Sequence, residues 1–187
     1  MNVIDTIKSR RSVRDLKDQP IPQEAIEDLI EALRWAPSAG NLQSRKFYLV
    51  FNEGIRQQLA CTAGNRDFAA RMKKLVKSAL GRDPLASAPL VIVACLDRSI
   101  AARYGERGEH LYAIQDVAAS LMNMMLVAHD RGLGSVWVGA FDEETVAAIL
   151  DLPEHLRPVA LVPVGYPARV PAPPPRAPGE QIVKFVR

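Results

Sequence analysis

Apolar residues along the chain alternate between helical spacing and short continuous runs, a pattern that predicts helices and buried strands in mixed order. Helices are predicted over residues 2–9, 23–36, 112–131 and 142–150, and residues 55–83 read as a basic helical region. Strands are predicted over residues 47–51, 90–96, 135–141 and 159–164. Because the run 90–96 is apolar without alternation, we expect a central strand that is covered on both faces.

Residues that begin and end helices stand at the ends of these stretches. Asn2 and Asp142 can cap helices with their side-chain oxygens. Pro22 suits the first position of a helix. The Pro-rich stretch 169–178 cannot form a helix or a central strand, so we expect it to run extended over a surface. Residues 180–187 are expected to close as an edge strand.

The helix predicted over 112–131 is apolar around most of its circumference, so it is either deeply buried or covered by a partner chain. Its methionines could form a soft ligand set, although core or subunit packing explains them as well. The preceding residues 98–110 are polar and contain glycine, which suggests a mobile segment over a site. His110 lies in that segment and is interpreted as a surface residue.

Composition limits the classes of protein that the chain can belong to. Its 187 residues, 48% hydrophobic and 24% charged, suit one globular domain. A net charge of +3 argues against a dedicated nucleic-acid binder. The apolar runs are too short to span a bilayer, and the N-terminus lacks the order of a signal peptide. Cys61 and Cys95 have no metal-site spacing, so we expect reduced thiols in the cytoplasm and no metal.

The first candidate for chemistry is the arginine segment, residues 10–14, which follows the first helix and contains Arg10, Arg11, Ser12 and Arg14. Arginine suits two-pronged recognition of phosphate, and a serine hydroxyl adds a donor. The same residues would also make an ordinary solvated basic turn. From the sequence, both interpretations stay open.

The second candidate is the amide loop, residues 37–43. Gly40 permits a positive φ, while Asn41 and Gln43 carry donors and acceptors that could read the edge of a heterocycle. An ordinary turn into the next strand is the alternative. Further on, Gly132 and Gly134 do not form the glycine pattern that follows a strand in a Rossmann nucleotide site, so that site is excluded.

Taken in order, four segments resemble the FMN-dependent nitroreductase family over nearly the whole chain. They are the arginine segment, the amide loop, the stretch from Gly132-Leu133-Gly134-Ser135 to Trp137-Val138-Gly139-Ala140-Phe141, and Pro163-Val164-Gly165-Tyr166-Pro167. The resemblance implies an α+β fold, a single three-layer α/β/α sandwich over residues 1–187 with a central, mostly antiparallel sheet. It also implies an intertwined homodimer with the long helix at its core and residues 165–187 packed on the partner.

The resemblance further assigns roles around FMN. Arg10, Ser12, Arg176 and the nearby Arg11 would bind the FMN phosphate, with Arg169 as a weaker candidate. Arg14 would lie at the pyrimidine edge of the flavin. Pro37, Ser38, Ala39, Asn41 and Gln43 would reach the flavin from the partner chain. The glycine turn, made of Val138, Gly139 and Ala140, would lie over the ring and bring a backbone N–H to N5. The segment around Asn65 departs from the family pattern, so its contact with flavin stays open.

The activity that the resemblance implies is hydride transfer from NADH or NADPH to flavin N5, followed by reduction of a small-molecule oxidant such as a nitroaromatic or a quinone, in ping-pong fashion. It needs no metal, nucleic acid or membrane. Two alternatives stay open. One keeps the fold but carries out specialised flavin chemistry, such as dehalogenation or flavin breakdown. The other is a flavin-binding module without enzymatic activity.

Overall fold

The computed structural model describes residues 2–63 and 83–187, which form helices on both sides of an antiparallel sheet. The helices are α1 Val3–Ser9, α2 Gln23–Arg34, α3 Glu53–Thr62, α4 Pro84–Ser87, α5 Arg98–Ala101, α6 Gly105–Arg107, α7 Ala113–Asp130, α8 Glu143–Ile149 and α9 Gly179–Ile182. The strands are β1 Asp15–Leu16, β2 Arg45–Val50, β3 Leu90–Asp97, β4 Gly134–Ser135, β5 Leu156–Gly165 and β6 Pro167–Arg169. Single 3-10 turns occur at Ala39–Asn41 and Ala102–Tyr104, and a π-helical turn occurs at Gly108–Tyr112.

The main sheet has the strand order β2-β3-β5-β4, with every neighbouring pair antiparallel. Every residue of β3 is buried, which confirms the central strand predicted from its apolar run. A second sheet pairs β1 with β6, so the start of the C-terminal tail is joined to the residues that follow the arginine segment.

Alternation along β3 divides the core into two layers. Ile92 and its neighbours on that face pack with Leu29 of α2 and Leu121 of α7. Val93, on the opposite face, packs with a second group that includes Val146 of α8. The sheet therefore separates two helical layers, which confirms the predicted α/β/α sandwich.

The predicted helix caps are confirmed. The Asn2 side chain accepts a hydrogen bond from the Asp5 N–H at 2.9 Å, and Asp142 accepts one from the Thr145 N–H at 2.8 Å. Pro22 stands one position earlier than predicted, as the N-cap of α2 and not as its first residue.

Two strand predictions are wrong. Of residues 135–141, only Ser135 belongs to a strand, where it pairs with Val164 of β5, and Val138 returns to β5 only through an isolated bridge to Leu161. Residues 180–187 form no strand in this chain. They begin with the helical turn α9 and remain exposed, with no partner strand in the described part of their own chain.

Residues 98–110 are helical and lead directly into α7, so the segment is not an irregular loop. Together, Arg98–Asp130 is the one stretch in residues 2–63 and 83–187 that is long and apolar enough to cross a membrane by length and composition. Val117, Leu121 and Met124 on it are fully buried against the sheet, as in the core helix of a folded domain. Of the region 55–83, the N-terminal part is helical, and residues 64–82 lie outside the described residues.

Candidate functional site

The arginine segment lies between the end of α1 and strand β4. Arg10 ends α1, where its backbone N–H donates to the Thr6 carbonyl at 3.0 Å. Ser12 forms a parallel bridge with Ser135, and Val13 is buried. Gly134 is required there, because a Cβ would come within 2.8 Å of the Val13 side chain. The backbone of this segment is therefore held by the sheet and is not a free turn.

The guanidinium of Arg10 is the most unusual polar group of the site. Its Nε and Nη1 atoms are buried and have no hydrogen-bond partner. Burial, and after it the charges of Arg176 and Arg11, lower the pKa of Arg10. None of these three arginines forms an ion pair with a residue in the described ranges. An unpaired buried guanidinium is costly, so this cluster of cations suits an anionic ligand.

A cavity of about 220 Å³ opens beside this cluster. Its lining consists of Arg10, Arg11, Val13, His129, Gly132, Leu133, Ser135, Pro167 and Val170. The His129 imidazole comes from the last turn of α7, and its Nε2 lies 2.7 Å from the Ser9 hydroxyl. Burial and the charges of Arg10 and Arg11 lower the pKa of His129, against the opposing effect of Asp130. Sequence reasoning missed this pair, because 120 positions separate the two residues.

The other members of the arginine segment differ in their surroundings. Arg11 donates from Nη1 to the backbone carbonyls of Lys8 at 2.7 Å and Arg10 at 2.8 Å. Arg14 is exposed and donates to the Ser12 carbonyl at 3.3 Å. Arg14 therefore keeps most of its guanidinium available outside the cavity.

The amide loop has an unusual backbone. Gly40, Asn41 and Gln43 all have a positive φ between 53° and 55°. The Gln43 N–H donates to the Ser38 hydroxyl at 3.0 Å, which closes the loop. Such strained residues persist only where the surroundings hold them, and they often mark binding sites. The exposed side chains of Asn41 and Gln43 are presented outward.

Two residues absent from the sequence-based site hold the amide loop in place. The buried Asp116 of α7 accepts a hydrogen bond from the Ala39 N–H at 3.0 Å. Tyr104 lies against Gly40 so closely that a Cβ at this glycine would overlap its hydroxyl. The Tyr104 ring also contacts Tyr112 edge to face, with centroids 5.9 Å apart. The helical segment before α7 thus supports the loop.

The amide loop and the arginine segment are held at opposite ends of α7. Asp116 contacts the loop in the first turn, and His129 contacts the end of α1 in the last turn. Thirteen positions separate these two residues, or about 20 Å along the helix axis. Within one chain, the two predicted halves of the site are therefore not brought together.

The glycine turn follows β4. Val138 is fixed by two backbone hydrogen bonds of 2.9 Å with Leu161. Gly139 and Ala140 are exposed, and their N–H groups make no hydrogen bond with the described residues. The Trp137 indole lies beside Gly139. The turn therefore presents backbone donors on a fixed base.

The remaining predicted residues lie in three different environments. Arg176 belongs to the extended, exposed tail and lies close enough to Arg10 to lower its pKa. Arg169 is opposite Asp15 in the small sheet, which favours a structural role for it. Asn65 lies outside the described residues. Of the tail candidates, the structure thus brings only Arg176 to the arginine cluster.

Large apolar side chains are exposed on α1, on α7, and on α2 with the residue that ends it. They are Val3, Ile4, Ile7, Ile30, Trp35, Ile114 and Met122. A hollow of about 370 Å³ lies among residues of these helices, including Trp35 and Leu126. Exposed apolar surface of this kind is typical of a protein–protein interface.

The fold and the candidate site define an α+β protein with a cluster of arginines beside its central sheet. The model of the nitroreductase family matches residues 7–166, and the chain belongs to this family. A protein of Methanothermobacter thermautotrophicus named putative NADH dehydrogenase/NAD(P)H nitroreductase is 30% identical, over 91% of this chain and 80% of its own length. The 5,6-dimethylbenzimidazole synthase of Rhodospirillum rubrum is 29% identical over 84% of this chain and 78% of its own.

A solved structure also has the same fold. The NADPH:FMN oxidoreductase of Vibrio harveyi, complexed with NAD+, superimposes with a TM-score of 0.82 at 26% identity. The match covers 100% of this chain and 78% of that protein. The sequence-based resemblance to the nitroreductase family is thereby confirmed.

Proposed function

We propose that this chain is an FMN-dependent NAD(P)H oxidoreductase of the nitroreductase type, which passes electrons from NADH or NADPH to a nitroaromatic, a quinone or a similar small oxidant. The observation that carries the proposal is the buried Arg10 guanidinium, which has two unpaired nitrogens and lies near Arg11 and Arg176. A phosphate monoester offers the charge and the acceptor oxygens that this cluster lacks. The names of the relatives, which include an NAD(P)H nitroreductase and an NADPH:FMN oxidoreductase, support the choice of FMN and donor.

In this proposal, Arg10, Arg11, Ser12 and Arg176 bind the FMN phosphate. The Ser12 hydroxyl makes no hydrogen bond with the described residues, so it is available as a donor to a phosphate oxygen. When bound, the flavin supplies the acceptor and donor of hydride. The guanidinium of Arg14, which is exposed, would supply a positive charge at the pyrimidine edge, where negative charge develops on reduction.

The glycine turn contributes backbone donors toward the ring. The N–H and the carbonyl of Val138 are both hydrogen-bonded to the backbone of Leu161, so the N–H of the next residue, Gly139, has a fixed position. Gly139 and Ala140 carry little side chain, so a planar ring can approach the backbone closely. We assign to this turn the donor that faces N5.

The site is completed by a second copy of the chain. Asp116, which contacts the amide loop, and His129, which lies beside the arginine segment, are about 20 Å apart along α7, so we infer that the two segments do not surround one ring in the same chain. A two-fold dimer in which the α7 helices run antiparallel places the amide loop of one protomer at the arginine segment of its partner. In this proposal the exposed apolar side chains near the hollow that includes Trp35 and Leu126 supply the interface, and residues 165–187 extend over the partner.

The visible spectrum of the freshly purified protein tests this function. We expect flavin absorption bands that bleach anaerobically with NADH or NADPH, and a return of the bands on adding a quinone. A flavin that neither nucleotide bleaches would favour a flavin-binding module without reductase activity. A colourless protein that fails to bind added FMN would overturn the proposal.

A second candidate is specialised flavin chemistry in the same site. One relative carries the name 5,6-dimethylbenzimidazole synthase, so the similarity extends to a protein named for a synthesis and not for a reduction. Chromatography of the flavin after aerobic turnover separates the two candidates. A reductase leaves FMN intact, whereas flavin breakdown consumes FMN at a rate proportional to the enzyme concentration.

A further inference from the structure

His129 and Ser9 form a polar pair at the cavity that contains Arg10 and Arg11. The pair joins the last turn of α7 to the last turn of α1, at the point where the arginine segment begins. Neither residue belongs to the segments on which the family resemblance depends. The pair lies next to the proposed phosphate site, so a ligand bound there would change the charges around the imidazole.

The hydrogen bonds of Ser9 define the protonation of the imidazole. The Ser9 hydroxyl lies 2.7 Å from the Asp5 carbonyl and 3.4 Å from the Thr6 carbonyl, and because a carbonyl can only accept, the hydroxyl hydrogen is donated to the backbone of α1. Toward His129 the same oxygen is then an acceptor, and Nε2 must carry a hydrogen. In the neutral imidazole, Nδ1 is therefore the nitrogen without a proton.

The charges around His129 favour its neutral form in the ligand-free protein. Arg10 and Arg11 face it from the arginine segment, and Asp130 is the acidic neighbour on its own helix. Burial and the two arginines outweigh Asp130, so the pKa of His129 lies below its ordinary value. Arg176 adds positive charge next to Arg10.

We propose that His129 is a proton-linked positioning residue of the phosphate site, which takes up a proton at Nδ1 when a phosphate dianion binds to Arg10 and Arg11. The dianion cancels the arginine charges that keep the imidazole neutral and adds negative charge beside it. The imidazolium donates a charge-assisted hydrogen bond to Ser9, which ties the end of α7 more strongly to the end of α1, where the arginine segment begins. This inference rests on the proposed FMN site.

The sign of the pH effect follows from linkage. The pKa of His129 is higher in the complex than in the free protein, so affinity is greatest at low pH and is lost as the pH rises through the pKa of the complex. The second pKa of a phosphate monoester is about 6, so measurements between about pH 6.5 and 8.5 keep the ligand largely dianionic. In that range, we expect FMN binding to weaken by up to about tenfold per pH unit.

The experiment compares the wild-type protein with His129→Gln. Glutamine keeps an N–H for Ser9 but cannot take up a proton. We expect its dissociation constant for FMN to be independent of pH over this range and within about threefold of the wild-type value at pH 8.5. Titration calorimetry at pH 7 in buffers of different ionisation heat should show uptake of up to one proton by the wild type and none by the variant.

Two controls make the result specific. His155→Gln changes an exposed histidine outside the cavity lining, so its FMN affinity should change with pH as steeply as that of the wild type. Riboflavin, which lacks the phosphate, should bind without proton uptake. The role of His129 would be overturned if FMN affinity changed equally with pH in the wild type and in His129→Gln, or if the wild type took up no proton on binding. Failure of the wild type and of both variants to bind FMN at any pH would instead overturn the proposed function.

Discussion

Replacement of Arg10 by methionine should change stability and cofactor binding in opposite directions. In the FMN-free protein, the guanidinium carries two buried nitrogens without partners and is repelled by Arg11 and Arg176. Methionine keeps the apolar stem and removes these costs. An unsatisfied buried polar group costs about 1–3 kcal/mol, so we expect the free energy of unfolding to rise by about that amount. For a chain of this length, each kcal/mol raises Tm by roughly 2–4 °C.

Binding should respond in the opposite way. Loss of a charge-assisted hydrogen bond to phosphate should weaken FMN binding by about 1.5–3 kcal/mol, or roughly 10–150-fold. At FMN concentrations of about 100 times the wild-type Kd, the ligand stabilises the wild type by about 2.7 kcal/mol. A variant with about 30-fold weaker binding gains only about 0.9 kcal/mol at the same concentration. Saturating FMN should therefore reduce or reverse the stability advantage of the variant.

Denaturant unfolding at fixed protein concentration, with and without FMN, measures both effects. Arg157→Met is the matched control, because Arg157 is paired with Glu143 at 2.7 Å. Its loss should lower the free energy of unfolding by about 0.2–1 kcal/mol. A destabilised Arg10→Met protein with unchanged FMN affinity would refute the reasoning and return Arg10 to a structural role.

Three further predictions test other parts of the structure. Arg14→Ala should lower the flavin reduction potential while leaving most FMN affinity intact, and an unchanged potential in a redox titration would remove its tuning role. Burial raises the pKa of Cys95 to about 12, so a thiol reagent at pH 8 should modify the exposed Cys61 in the native protein and Cys95 only after unfolding; rapid modification of both would contradict the structure. Gly40→Ala should lower the free energy of unfolding by about 1–3 kcal/mol, because alanine at positive φ is strained and its Cβ overlaps Tyr104; a neutral effect in denaturant unfolding would show that the loop can rearrange.

The elements that the sequence predicts well are those set by local patterns. The run at 90–96 became a strand buried along its whole length, and the caps at Asn2 and Asp142 formed the expected hydrogen bonds. Each of these depends on residues within a few positions of one another. Burial on both faces and side-chain capping are therefore readable without the tertiary structure.

The segment before α7 shows where such patterns fail. Residues 98–110 are helical, yet their buried residues are the small Ala101 and Gly108. A Cβ at Gly108 would overlap the Ala101 carbonyl. The turn is therefore held by close backbone packing, without a stripe of large apolar side chains. Hydrophobic spacing cannot detect packing of this kind.

The supporting residues of the site could not be predicted for a different reason. Asp116 is hydrogen-bonded to Ala39, which is 77 positions away in the chain, and Ser9 is hydrogen-bonded to His129, which is 120 positions away. Such contacts depend on which elements the fold makes neighbours. The arginine segment and the amide loop could be proposed as site segments because their residue types indicate a chemistry, whereas a single aspartate or histidine within an apolar helix does not.

The division of the site between the two ends of α7 can itself be tested. The Arg10→Met variant impairs the arginine segment. The double variant Asn41→Gly with Gln43→Gly impairs the amide loop, and glycine keeps the positive φ that both positions adopt. We expect each variant alone to bind FMN more weakly than the wild type, as measured by fluorescence titration.

A hybrid dimer with one chain of each variant distinguishes a shared site from a site within one chain. If the site combines the arginine segment of one protomer with the amide loop of its partner, both defects fall in the same site and the other site is intact. The hybrid should then bind one FMN per dimer with wild-type affinity. If each chain formed its own site, both sites would be damaged and no tight binding would return. Recovery of one tight site would show that the two chains share the site, as the proposed antiparallel arrangement of the α7 helices requires.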